Sequence, residues 1–218
     1  MKKIVFALTP LLIAAGASAI PVYSNMTNPS GGFNITNFDN QILLDDLVIA
    51  GGGELQDITV TMSYSGGGFG SPGSINIGAD VALYLDDGDG QPQIIDGPDV
   101  LLWNGVIEST TVGLGQTLFP TLNISPGVMV NAGDRLWLGI RYHTDAMSFV
   151  NFGTEMYDDF TVGSSDNSIY ILDLDNNNQV SPFPATGGGM GAILTVVPAP
   201  GVLAPLAMGG LLVTRRRR

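Results

Sequence analysis

Between residues 20 and 196 apolar and polar side chains alternate in short runs that are broken by Gly, Asn, Asp and Pro. Alternation with a period of two marks strands with one buried face. The clearest run is Leu55–Tyr64, in which Ile58, Val60, Met62 and Tyr64 share one face while Thr59, Thr61 and Ser63 share the other. The same pattern predicts strands at Gln41–Ile49, Ala79–Leu85, Leu101–Ile107, Gln116–Ile124, Arg135–Tyr142, Met147–Phe152, Ser168–Leu174 and Gly191–Val197. No segment holds a convincing helical period, so the expected core is all-β: a single antiparallel β-sandwich, jelly-roll-like. The Gly clusters at 51–53, 66–73 and 187–189 fall between predicted strands, where turns need or tolerate positive φ. No internal repeat and no Pro-rich linker divides 20–196, which predicts one domain.

The two ends read differently. Residues 1–19 have a basic start at Lys2 and Lys3, an apolar run from Ile4 to Ala15, and small residues at Ala17 and Ala19. That is the pattern of a secretory signal peptide, a helix cut before Ile20. An uncleaved anchor is the alternative, but the run is short of the roughly twenty residues that span a bilayer. At the other end stand Pro198, Ala199 and Pro200, an apolar stretch from Gly201 to Val213 that predicts a short helix, and Arg215, Arg216, Arg217 and Arg218. The arginines would hold that end on the cytoplasmic side. Pro205, Gly209 and Gly210 make the stretch a poor lasting span, so a transient tether fits better. A simple stop-transfer tail is the competing reading.

Leader, Pro-x-Pro element, short apolar segment and terminal Arg cluster together resemble a PEP-CTERM protein, the bacterial class processed by exosortases. The resemblance covers 197–218 plus the generic leader, and Ala199 stands where the family's motif has Glu. It implies recognition by a signal peptidase and an exosortase-like enzyme, removal of the tail, and release to the cell envelope or an extracellular polysaccharide matrix. Membrane contact is then confined to the tail before processing. The motifs Val22-Tyr23-Ser24-Asn25, Leu43-Leu44-Asp45-Asp46, Tyr84 through Gly90 and Ala132 through Leu138 also loosely resemble β-sandwich domains found ahead of such tails. They imply fold and exported class, and no activity.

Charge sharpens this division. The whole chain carries −12, with eight Lys and Arg against twenty Asp and Glu. All the acids lie within 20–196, where Arg135 and Arg141 are the only bases, so that segment carries −18. A nucleic-acid binder working through a basic face is excluded, because phosphate contact needs clustered cations. Disorder is disfavoured by 44% apolar residues. Cys is absent, so an exported domain would rely on core packing alone.

Catalytic chemistry finds little support. The chain has one His, His143, expected at a solvated strand end, and no G-x-S-x-G motif accompanies it. Paired carboxylates could serve a glycosidase, but twenty acids form many pairs by chance and most sit in Gly- and Asn-rich turns. The expectation is a non-enzymatic protein with no catalytic residue, no resident cofactor and no assigned metal ligand. The alternative is a secreted calcium- or carbohydrate-binding module. Calcium favours Asp-rich loops, and two invite it: Asp86-Asp87-Gly88-Asp89-Gly90 and Asp173-Leu174-Asp175-Asn176-Asn177-Asn178. The second opens like an EF-hand, but Asn178 replaces the required Gly and Pro184 the bidentate Glu. Both loops equally suit Asx turns. For a sugar platform the chain offers Trp103 and Trp137. Trp137 reads as core from its alternation with Leu136 and Leu138, and Trp103 as the more exposed of the two.

Overall fold

The computed structural model describes residues 18–35, 40–67, 70–145, 150–166, 169–183 and 188–198. The predicted signal helix and the predicted apolar tail helix lie outside them. Among the described residues every regular element is a strand. In chain order these are β1 (Ile20–Ser24), β2 (Pro29–Ile35), β3 (Gln41–Val48), β4 (Gly53–Val60), β5 (Met62–Gly66), β6 (Ser74–Leu85), β7 (Val100–Gly113) and β8 (Gln116–Leu118). They are followed by β9 (Thr121–Asn123), β10 (Met129–Val130), β11 (Arg135–Thr144), β12 (Asn151–Tyr157), β13 (Ile169–Asp173), β14 (Gln179–Phe183), β15 (Gly189–Met190) and β16 (Ala192–Val197). All pairings are antiparallel.

One layer is a six-stranded sheet in the order β14-β13-β3-β11-β6-β7. The other is made of two five-stranded sheets. The first runs β1-β16-β4-β10 with β9 also on β4, and the second runs β15-β12-β5-β8 with β2 on β12. Three chain segments pass directly from one of these sheets to the other: β4 into β5 at Thr61, β8 into β9 across Phe119 and Pro120, and β15 into β16 at Gly191. The seam has physical reasons. Pro120 has no N–H to continue a ladder. At Gly191 a Cβ would lie 2.7 Å from Thr61 Cγ2 and 2.6 Å from the Tyr157 ring, so the strands approach too closely for a side chain.

The two layers close on one apolar cluster. Leu43, Val81, Leu83, Leu138 and Ile140 come from the six-stranded sheet, and Ile58, Val60, Tyr64, Phe152, Leu194 and Val196 from the other layer. Tyr142 of β11 crosses the gap, stacking edge-on against Phe152 at 6.5 Å and donating its hydroxyl to the Thr61 carbonyl at 2.7 Å. This is the expected all-β, sandwich-like arrangement.

The Leu55–Tyr64 run departs from expectation in an informative way. Ile58, Val60, Met62 and Tyr64 are all buried as the alternation implies, but so are Thr61 and Ser63. The change of sheet at Thr61 turns these polar side chains inward, where they are satisfied. Thr61 Oγ1 shares a hydrogen bond with Thr154 Oγ1 at 2.8 Å and accepts from the Glu155 N–H at 3.0 Å, while Ser63 Oγ donates to the Gly153 carbonyl. Gln116–Ile124, expected as one strand, is split into β8 and β9 by the same seam.

The outward face of the six-stranded sheet is also partly covered. Leu44, Trp137 and Leu172 are buried there, outside the main cluster. The segment between β6 and β7, residues 86–99, folds against this face. Trp137 Nε1 donates to Asp86 Oδ1 at 3.1 Å, and Pro92 and Ile95 line a cavity together with Tyr170, Val180 and Pro182 of β13 and β14.

Candidate functional site

The 86–99 segment gathers acids because its turns use carboxylates to hold backbone N–H groups. Asp86 accepts from Gly88 and Gly90, Asp87 from Asp89, and Asp89 from Gln91. Gly88 and Gly90 take φ of 104° and 70°, a conformation that favours glycine. Asp99, at the far end of the segment, folds back across it, accepting from Asp87 N–H at 3.1 Å and from Gln93 N–H at 2.6 Å. As a result one carboxylate oxygen from each of Asp86, Asp87 and Asp99 lies within 4.8 Å of the others, the one such group among the described residues. Calcium–oxygen distances of about 2.3–2.6 Å place opposite ligands up to about 5 Å apart, so the spacing suits that ion. Burial, together with the charges of Asp86 and Asp87, pushes the Asp99 carboxyl up despite its two backbone hydrogen bonds. A divalent cation would relieve both effects.

The second Asp-rich loop, 173–178, is a turn. Asp173 Oδ1 accepts from the N–H of Asp175 and Asn176, and the Asp175 carboxylate receives both bonds from Asn40 Nδ2, at 3.0 and 2.9 Å. Asn177 and Asn178 adopt left-handed φ of 53° and 57°, which Asn tolerates.

A second acidic assembly lies in the interior. Asp45 and Asp46, adjacent on β3, are both buried. Asp45 points into the sandwich, where its Oδ2 accepts from the Met190 N–H at 2.6 Å and its Oδ1 from the Ser165 hydroxyl at 3.3 Å. Gly189 must lack a side chain here, since a Cβ would come within 2.7 Å of Asp45 Oδ2. Asn25 completes the arrangement by clasping β15 and β16, donating to the Met190 carbonyl and accepting from the Ala192 N–H, each at 2.9 Å. Asp46 accepts from Ser165 Oγ and Asp166 N–H and lies 3.5 Å from the Arg135 guanidinium. Burial, then the neighbouring Asp46 charge, raises the Asp45 carboxyl well above the ordinary range, outweighing the hydrogen bonds that oppose it. Asp46 is raised as well, by burial and by the Asp166 charge, against the pull of the Asp166 N–H, Ser165 and Arg135. The protonated form of Asp45 is thus favoured relative to an exposed carboxyl. The nearby Tyr23 hydroxyl is buried without a hydrogen-bond partner and is driven up by burial and by these two acids.

Neither the closure of Asp99 onto the Asp86 turn nor the burial of Asp45 and Asp46 emerges from sequence reasoning. The first depends on how the 86–99 loop closes on itself, the second on partners more than a hundred residues away. His143 stands near the end of β11, half-buried, with its ring over Gly78, where a Cβ would meet Nε2 at 2.6 Å. Trp137 is buried as expected, and Trp103 is buried too, 7% exposed, which corrects its more open reading. It faces inward from β7 among the core residues, so neither Trp forms a sugar platform. Of the sorting-tail residues, Pro198 is buried where β16 ends, its Cα 3.1 Å from the position a Cβ on Gly53 would take. Ala199, Pro200 and Arg215–Arg218 lie outside the described residues.

No family model matches the chain, and no curated protein matches it. Among solved structures it is similar to a chain from the crystal structure of the T13 IBDV viral particle, at 9% identity and a TM-score of 0.35. The match covers 93% of this chain and 46% of the viral one.

Proposed function

We propose that the chain is a non-enzymatic exported protein of the cell envelope or extracellular matrix, delivered by a signal peptide at 1–19 and a PEP-CTERM-like tail at 197–218. On this reading a signal peptidase cuts before Ile20, and an exosortase-like enzyme acts on the tail around Pro198, Ala199 and Pro200. The basic Arg215–Arg218 cluster holds the apolar segment in the membrane until then, and the two terminal segments are helical. The mature species is a jelly-roll-like sandwich; in support, the chain crosses repeatedly between layers and few sheet neighbours are consecutive strands.

The observation that carries the reading is the register of β1 and β16, in which Ile20 faces Val196. Because the pair is antiparallel, the leader and the tail leave the sandwich side by side at one end of one sheet. Both can then engage the same membrane while the folded domain hangs on one side of it. Fractionation of the source cells with an antibody against the sandwich tests this: the reading expects the protein in the envelope or medium, and a cytoplasmic pool of full-length chain refutes it.

A second reading, a calcium-binding module, has its own specific support in the convergence of Asp86, Asp87 and Asp99. It is compatible with export, since extracellular media supply the ion.

A further inference from the structure

A groove of about 360 Å³ runs along the outward face of the six-stranded sheet. Its floor includes Ala82 and Gly139, small residues that stand little above the sheet, and the backbone of Gly105. At Gly139 a Cβ would lie 3.3 Å from Leu44 and 3.6 Å from the Tyr84 ring, so side chains of the neighbouring strands lean over this part of the floor. The sides are apolar and exposed: Leu101 and Val106 from β7 are 51% and 54% accessible, and the half-buried Tyr84 ring stands beside them. At one end Arg141 grips Asp80, with Nε at 3.0 Å and Nη2 at 2.5 Å from the same carboxylate oxygen, Oδ2. Both bonds fall on one oxygen of Asp80, and both side chains are about two-fifths exposed. The exposed Asn104 amide adds a further donor and acceptor.

We infer that this groove binds a segment of neutral polysaccharide. Sugar rings present apolar C–H faces that pack on aromatic and aliphatic walls, and vicinal hydroxyls that pair with a fixed acceptor and donor. Here Tyr84, Leu101 and Val106 supply the walls, while Asp80, Arg141 and Asn104 supply the polar end. The volume falls within the roughly 300–1,000 Å³ of ligand clefts. Charge selects an uncharged polymer. Arg135 and Arg141 are the only cations between residues 20 and 196, and each is already paired with a carboxylate, Arg135 with Asp46 and Asp166 and Arg141 with Asp80. A segment carrying −18 then repels an anionic glycan. The inference rests on the groove alone and holds whichever way the tail is processed.

Affinity electrophoresis of the full-length chain in gels containing dextran, laminarin or mannan, with alginate as the anionic comparison, tests it. At least one neutral polymer retards the protein. Arg141→Gln and Asn104→Ala each weaken that retardation about tenfold, the scale of a lost hydrogen bond to a sugar hydroxyl. Phe119→Ala, equally exposed but on the other layer, leaves retardation unchanged. Should Arg141→Gln fail to fold, the exposed Asn104→Ala variant carries the test. The inference is overturned by no retardation in any neutral polymer, by retardation in alginate alone, or by undiminished retardation of folded variants.

Discussion

Ile20 and Val196 are Cα partners across the β1–β16 ladder, although 175 residues separate them in the chain. The ladder continues inward to Ser24 and Ile193, and β16 in turn pairs with β4 from Ala192 to Val197. The last described strand is therefore an interior strand of its sheet, with Leu194 and Val196 fully buried in the core. The domain keeps its packing right up to the points where the two terminal segments begin.

One consequence concerns stability near the ends. Leu194→Ala removes a fully buried side chain and should cost about 2–5 kcal/mol in urea unfolding. Ile20→Ala, at a position 45% exposed, should stay within about 0.5 kcal/mol of wild type. Equal effects would mean that β16 is not packed as described.

The seam at Thr61 makes a second prediction. Thr61→Val keeps the volume but leaves the Glu155 N–H without its partner and the Thr154 hydroxyl with only the Glu155 carbonyl. The expected loss is about 1–3 kcal/mol. Tyr142→Phe, which deletes the bond to the Thr61 carbonyl across the layers, should cost about 1 kcal/mol. Because both changes touch the same residue, a double variant should be less destabilised than the sum.

Asp45 predicts the sign of a pH effect. Its folded carboxyl is raised above the unfolded value of about 3.9, so the native state keeps a proton that the unfolded chain has already lost. Stability from this group is complete below the unfolded value and declines as pH rises toward the folded one. Asp46 and Asp99 are shifted in the same direction, so the comparison must be differential. Asp45→Asn, neutral at every pH and still able to accept from Met190, should flatten the fall in melting temperature as pH rises above about 4. An unchanged slope would place the proton elsewhere.

For the Asp86–Asp87–Asp99 cluster, added calcium should raise the melting temperature and EDTA should reverse the rise. At a hundredfold excess over Kd the stabilisation is about 2.7 kcal/mol. Asp99→Asn should abolish most of the response. A wild-type protein indifferent to calcium would leave the cluster as turn chemistry.

Much of the fold is legible in the residues because the strands bury one face. Ile58, Val60, Met62 and Tyr64 show this directly, as do Leu136, Leu138 and Ile140. What local pattern cannot carry is a change of layer. Thr61 and Ser63 look like solvent positions until Thr154 and Gly153, some ninety residues away, receive them. The two-residue strands β10 and β15 are too short to have a period at all. In β1 a register shift between Pro21 and Tyr23 puts the consecutive Val22 and Tyr23 both inside. The acids follow the same logic. Asp45 and Asp46 are tolerated in a central strand because Ser165 and Met190 meet them, and Asp99 joins Asp86 only once the loop has closed.

The central claim, two-ended delivery of a sandwich whose first and last strands are neighbours, is tested most directly by the intact mass of the protein recovered from the envelope or medium of its own cells. The account predicts a species beginning at Ile20 and lacking Arg215–Arg218. A full-length mass, with Lys2, Lys3 and all four terminal arginines still present, would contradict it.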